Sequence, residues 1–127
     1  MAKRKDLVTR IVESLEEKKG NDIVVLDLTK IDNTIADYFV IADTTSNTHS
    51  KALSDFVQKQ VSKDLKTKPL GVEGEELAEW ILLDYGEVIV HIFQRPVREY
   101  YDLESLWGDA RSMYFEETNK LKENEQG

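Results

Sequence analysis

The amino-acid sequence predicts one α/β domain of α+β character, a mixed sheet of four to five strands packed against helices. Three observations carry that expectation. The chain of 127 residues, 40% hydrophobic and 33% charged, suits one compact domain and is too short for two ordinary ones. Apolar runs of strand length are interleaved with segments of helical period. Each helical segment offers a single apolar stripe, and such stripes are satisfied by packing on a sheet.

Taken in order, Leu7, Val8, Ile11, Val12 and Leu15 recur at helical spacing, Lys18 and Lys19 suit the negative end of a helix dipole, and Gly20 is a good stop. The first helix is expected over 3–19. Ile23–Leu28, bounded by Asn21-Asp22 and Thr29-Lys30, reads as a buried strand, and Tyr38–Ala42 as a second. Asp43–Thr48 is rich in N-cap residues and precedes Leu53, Phe56, Val57, Val61 and Leu65, so a second helix is expected over 48–66. Pro69-Leu70-Gly71 ends it, with a weakly signalled extended piece at Leu70–Val72. Trp80–Tyr85 and Val88–Phe93 flank Gly86-Glu87, which predicts a β-hairpin. Pro96 is expected to end its second strand, and 97–106 to hold a turn of helix. From about residue 111 the chain is mostly polar, so it is expected to fray, or to extend a helix through Met113, Tyr114 and Phe115.

Composition excludes several kinds of function. With no cysteine there is no disulfide, thiolate zinc site, iron–sulfur cluster or cysteine nucleophile. No apolar run approaches bilayer length, and Met1–Leu15 mixes acids and bases without a signal-like or transit-like pattern, which points to a cytoplasmic protein with no membrane partner. The net charge of −8 is localised: residues 71–110 hold two basic and ten acidic groups, while the rest is close to balance. A nucleic-acid groove in that stretch would repel phosphate, so a large partner of this half should be basic.

Motifs for chemistry are scarce. No Walker A loop, Rossmann glycine pattern or His-Glu-x-x-His occurs. The Ser/Thr-rich turn at Ile41–Lys51 has the backbone N–H groups to hold an anion, but helix capping explains it more simply. Asp27, Asp32, Asp37, Asp43 and Asp84 each stand alone, without the Asp-x-Asp spacing that shares divalent metals, so no catalytic residue, metal site or cofactor is expected. His49 falls in the first turn of the second helix and is expected to be exposed. His91 falls opposite Leu82 or Leu83 on the hairpin, where a structural pairing with Asp84 is favoured over a proton relay. Trp80, Tyr85, Tyr100, Tyr101 and Trp107 crowd the acidic half together with Arg98, the residue types that dominate binding hot spots.

The string Ala78–Phe93, continued by Arg98-Glu99-Tyr100-Tyr101-Asp102-Leu103-Glu104-Ser105-Leu106-Trp107, resembles the signature of the ribosomal silencing factor family, also called RsfS or iojap. Asp27-Leu28, Ala36–Ala42 and the Ser/Thr-rich turn with the second helix are similar to its N-terminal half. The resemblance implies a family domain over 1–108 with a tail at 109–127, and a topology like that of nucleotidyltransferases without their catalytic carboxylates. It implies a non-enzymatic factor that binds the large ribosomal subunit through the fourteenth large-subunit protein, blocks joining of the small subunit and represses translation when nutrients are scarce. It also implies a homodimer when free, and little or no direct contact with nucleic acid. The motif positions carried over for partner binding are Trp80, Tyr85, Arg98, Tyr100, Tyr101, Glu104, Leu106 and Trp107, with Asp84, His91 and Asp37 as structural positions. The alternative is a nucleotide-binding or nucleotidyltransferase-like enzyme using the Asp43–His49 turn.

Overall fold

In the computed structural model the described residues are 4–31, 34–106, 111–115 and 121–123. Helix α1 (Arg4–Glu17) leads into strands β1 (Asn21–Asp27) and β2 (Tyr38–Thr44), helix α2 (Asn47–Leu65), and strands β3 (Gly71–Glu73), β4 (Trp80–Asp84) and β5 (Val88–Gln94). Helices α3 (Arg95–Tyr101) and α4 (Leu103–Leu106) follow, then β6 (Arg111–Phe115) and β7 (Leu121–Glu123). The sheet order is β3-β4-β5-β2-β1-β6-β7, with β2 and β5 parallel and every other pair antiparallel. The mixed sheet expected from the sequence is therefore present as β1–β5, and two further strands extend it past β1.

Local chemistry explains the boundaries. The Gly20 N–H donates to the Leu15 carbonyl at 2.8 Å as the chain leaves α1. Ser46 caps α2, its hydroxyl accepting from the His49 N–H at 3.1 Å, and Lys66 closes it in a left-handed conformation. Pro96 differs from its expected role: it starts a helix instead of only ending a strand. A proline in the first helical turn gives up an N–H that has no partner there anyway. Met113–Phe115, expected to fray or extend a helix, lies in a strand that pairs with β1. The polar flanks hid a pairing whose other half lies some ninety residues earlier, beyond the reach of local pattern.

Alternating side chains sort the sheet into two apolar layers. Val25, Val40, Ala42, Ile81, Leu83, Val90 and Ile92 face α1 and α2 and form one core with Leu7, Ile11, Leu15, Leu53, Val57 and Val61. Leu26, Phe39, Ile41, Ile89 and Phe93 face the other way and meet Val97 of α3 and Leu103 of α4. Every residue of β2 is buried, as befits a central strand with a parallel neighbour and both faces covered. The second layer, away from the two long helices, is where Trp80 and Phe93 of the acidic half meet.

Candidate functional site

Trp80 opens β4 opposite Phe93 and on the same face as His91, which stands opposite Leu82. Its indole ring lies 4.9 Å from Phe93 and 4.8 Å from Tyr101, centroid to centroid, within the range of attractive aromatic pairing. Tyr100 packs edge-on against Tyr101 at 5.1 Å. The cluster grades from a dry interior to a wet rim: Trp80 is half-buried, whereas Tyr101 is 50% and Tyr100 82% exposed. Leu77, 73% exposed, adds to the rim from the loop before β4. Beside Trp80 a cleft of about 500 Å³ is lined by Glu75, Glu76, Leu77 and Glu79, with the Glu75 carboxylate accepting from the Ser54 hydroxyl of α2 at 3.2 Å. The loop is held tightly, since Gly74 has φ +87° and a Cβ there would sit 2.0 Å from the Trp80 carbonyl oxygen, so only glycine fits.

Beneath the rim, the Trp80 indole N–H donates to His91 Nδ1 at 3.0 Å. With Nδ1 accepting, the neutral ring carries its proton on Nε2, which is buried and without a partner. His91 is also edge-on to Phe39 at 4.6 Å and stacked near Phe93. Burial among these rings pushes its pKa down to about 4. The unfolded chain binds a proton near pH 6.5 and the folded one does not until about pH 4, so stability falls as pH drops through that window, by up to about 3 kcal/mol. Denaturant titrations should show a smaller acid loss for His91→Gln than for the wild type. Asp43 acts in the opposite sense, because burial raises its pKa, so the folded chain takes up this proton more readily than the unfolded one and gains stability as the pH falls. Comparing variant with wild type cancels that contribution.

The helix bearing the tyrosines is fixed to the sheet by Arg98. Its guanidinium donates to Asp43 Oδ2 at 2.9 Å, to the Asp22 carbonyl at 2.8 Å and to Glu104 Oε2 at 2.8 Å. Arg95 reinforces the same corner through Asp22, with Asp43 Oδ1 at 3.4 Å. Asp43 sits at the carboxyl end of β2 and is almost fully buried, so it depends on Arg98 to hold a charge there. This network was not anticipated from the sequence. Asp43 and Arg98 lie 55 positions apart, with no motif linking them.

Several expectations change accordingly. Tyr85 is buried in the α1/α2 core and cannot face a partner; burial pushes its phenol up to about 12. The signal was present, since Tyr85 shares the alternation of Ile81 and Leu83. Arg98 is likewise 8% exposed, a brace and not a contact. Asp84 does not pair with His91: it faces Ile89, and its carboxylate accepts from the Gly86 N–H at 2.7 Å, closing the hairpin turn, while the opposite diagonal gives His91 to Trp80. His49 is half-buried, with Nε2 2.7 Å from the Lys18 carbonyl, because the end of α1 folds over it. The Asp37 N–H donates to the Glu87 carbonyl at 2.8 Å and its carbonyl accepts from the Leu28 N–H at 2.8 Å, tying the β1–β2 connection to the hairpin turn. Glu104 is half-buried against Arg98. The side chain of Leu106 and all of Trp107 lie outside the described residues.

At the turn before α2, the Thr44 hydroxyl donates to the Ser46 carbonyl at 3.0 Å and lies 2.7 Å from the Ser50 hydroxyl. These groups serve the cap. Among the described residues no group of three or more His, Asp or Glu side chains is placed to hold a metal ion, and no helix is long and apolar enough to cross a membrane.

The comparisons agree on one family. The model of the family described as "Ribosomal silencing factor during starvation" matches residues 1–127. The chain is 39% identical over 103 residues to a ribosomal silencing factor RsfS of Chromobacterium violaceum, covering 81% of this chain and 83% of that one. It is 30% identical to a mouse protein named "Mitochondrial assembly of ribosomal large subunit protein 1", over 79% of this chain and 44% of the mouse protein. A crystal structure of a Chromobacterium violaceum protein superposes with a TM-score of 0.79 at 37% identity, covering 84% of this chain and 88% of that one.

Proposed function

This chain belongs to the ribosomal silencing factor family, and we propose on that premise that it binds the large ribosomal subunit through the fourteenth large-subunit protein and blocks small-subunit joining. Translation is thereby repressed under nutrient limitation, by steric exclusion and without covalent chemistry. The observation that carries the reading is a half-buried Trp80 that meets the exposed Tyr101 and Tyr100 on one side and a cleft lined by Leu77, Glu76 and Glu79 on the other. Rigid aromatic side chains supply area at low entropic cost, and the carboxylates select a basic protein surface. That the mouse relative is named for assembly of the large subunit supports the choice of subunit. The proposal includes a cytoplasmic protein that is a homodimer when free.

Co-sedimentation tests the partner. Purified protein should pellet with isolated large subunits and not with small ones. Equal recovery with both, or with neither, would remove the assignment.

A further inference from the structure

The edge strand β3 separates two clefts of opposite charge, with Val72 lining both. On one side lie the glutamates and Trp80. On the other, a cleft of about 550 Å³ is bounded by Lys59, Lys68 and Pro69. Lys63, one helical turn after Lys59, and Lys66, the cap of α2, add to the same end of the molecule. All four lysines are exposed, and none forms an ion pair with a described residue. Asp64, the carboxylate among them, is taken by Arg10 at 2.6 Å. The dipole of α2 explains a lysine in its last turn, but Lys59 lies too early and Lys68 beyond the end. Four unopposed cations between residues 59 and 68 therefore stand out on a chain of net charge −8.

Against the family-based expectation of little or no direct contact with nucleic acid, we propose that this lysine cleft contacts a ribonucleic acid phosphate backbone bordering the basic protein that the acidic rim holds. The inference rests on the docking reading above, and it assigns the two sides of β3 to two components of one ribosomal surface. Lysines on flexible stems meet phosphates as point charges and gain affinity by releasing counterions. An acidic peptide added as a strand fits less well, because β3 offers a ladder of only three residues.

The test replaces all four lysines by glutamine, K59Q/K63Q/K66Q/K68Q, at exposed positions that carry no core packing. Binding to intact large subunits across a potassium chloride series should weaken about tenfold at low salt, and the slope of log K against log salt should shrink by about 2 to 3. Affinity for the isolated fourteenth large-subunit protein should not change. An unchanged salt slope overturns the proposal, and so does an equal loss toward the isolated protein, which would place the lysines on protein. Trp80→Ala separates the two readings: if it binds subunits like the wild type while the lysine variant loses salt-dependent affinity, the docking rim is wrong and the phosphate contact stands.

Discussion

Trp80→Ala is expected to raise the Kd for large ribosomal subunits by two to three orders of magnitude, a loss of about 3–4 kcal/mol. Trp80 joins the dry layer of the sheet to the exposed rim, so its removal takes away contact area and also the support behind Tyr101. Because the ring also packs on Phe93 and donates to His91, the variant needs a folding control. Tyr101→Ala supplies a cleaner one: the side chain is half exposed, and binding should drop by about tenfold or more while the thermal unfolding midpoint moves little. Titration of labelled variants against purified subunits, alongside circular dichroism melts, checks both. Wild-type affinity in the two folded variants would take the rim out of the interface.

The largest effect on stability is expected at Arg98. Arg98→Ala leaves Asp43 almost fully buried without its main cation and should cost about 3–5 kcal/mol in urea unfolding. Arg98→Lys keeps the charge but cannot serve Asp43, the Asp22 carbonyl and Glu104 with one planar fork, so it should fall between. Adding Asp43→Asn to Arg98→Ala should recover part of the loss, since the orphaned charge goes with it. Additive losses in that double variant would contradict the account. The same brace orients α3, so the Arg98 variants should also bind subunits more weakly than their stability alone requires.

The architecture was legible because its signals are local. The Gly86-Glu87 turn between two apolar runs sets the hairpin, Ser46 with the apolar stripe after it sets α2, and the continuous apolar run Tyr38–Ala42 marks a strand covered on both faces. What stayed hidden depends on distant partners. Asp43 meets Arg98 only because the parallel pairing of β2 with β5 brings the start of α3 to the carboxyl end of β2. The strand at Arg111–Phe115 needs β1 as its partner. The aromatic cluster was seen as a composition, but its division follows from position: Tyr85 takes the α1/α2 face at the end of β4, whereas Tyr100 and Tyr101 close helix α3 at the surface. Strand alternation held the signal for Tyr85, although the family motif placed it among the partner-binding positions. For His91 the sequence left the register open between Leu82 and Leu83 with Asp84 as the expected partner; the pairing with Leu82 gives it to Trp80 instead.

The localised acidity gains a structural meaning from this arrangement. Glu76 and Glu79 of the β3–β4 loop line one cleft with Trp80 and Leu77, so charge that selects a basic partner adjoins apolar area that can bind it.

The most direct measurement of the central claim is sedimentation of purified large and small subunits mixed at a magnesium concentration that joins them, with and without excess protein. The joined-ribosome peak should fall, with the protein migrating on free large subunits and Trp80→Ala leaving the peak intact. A joined fraction that stays unchanged while the protein is bound to large subunits would contradict the claim.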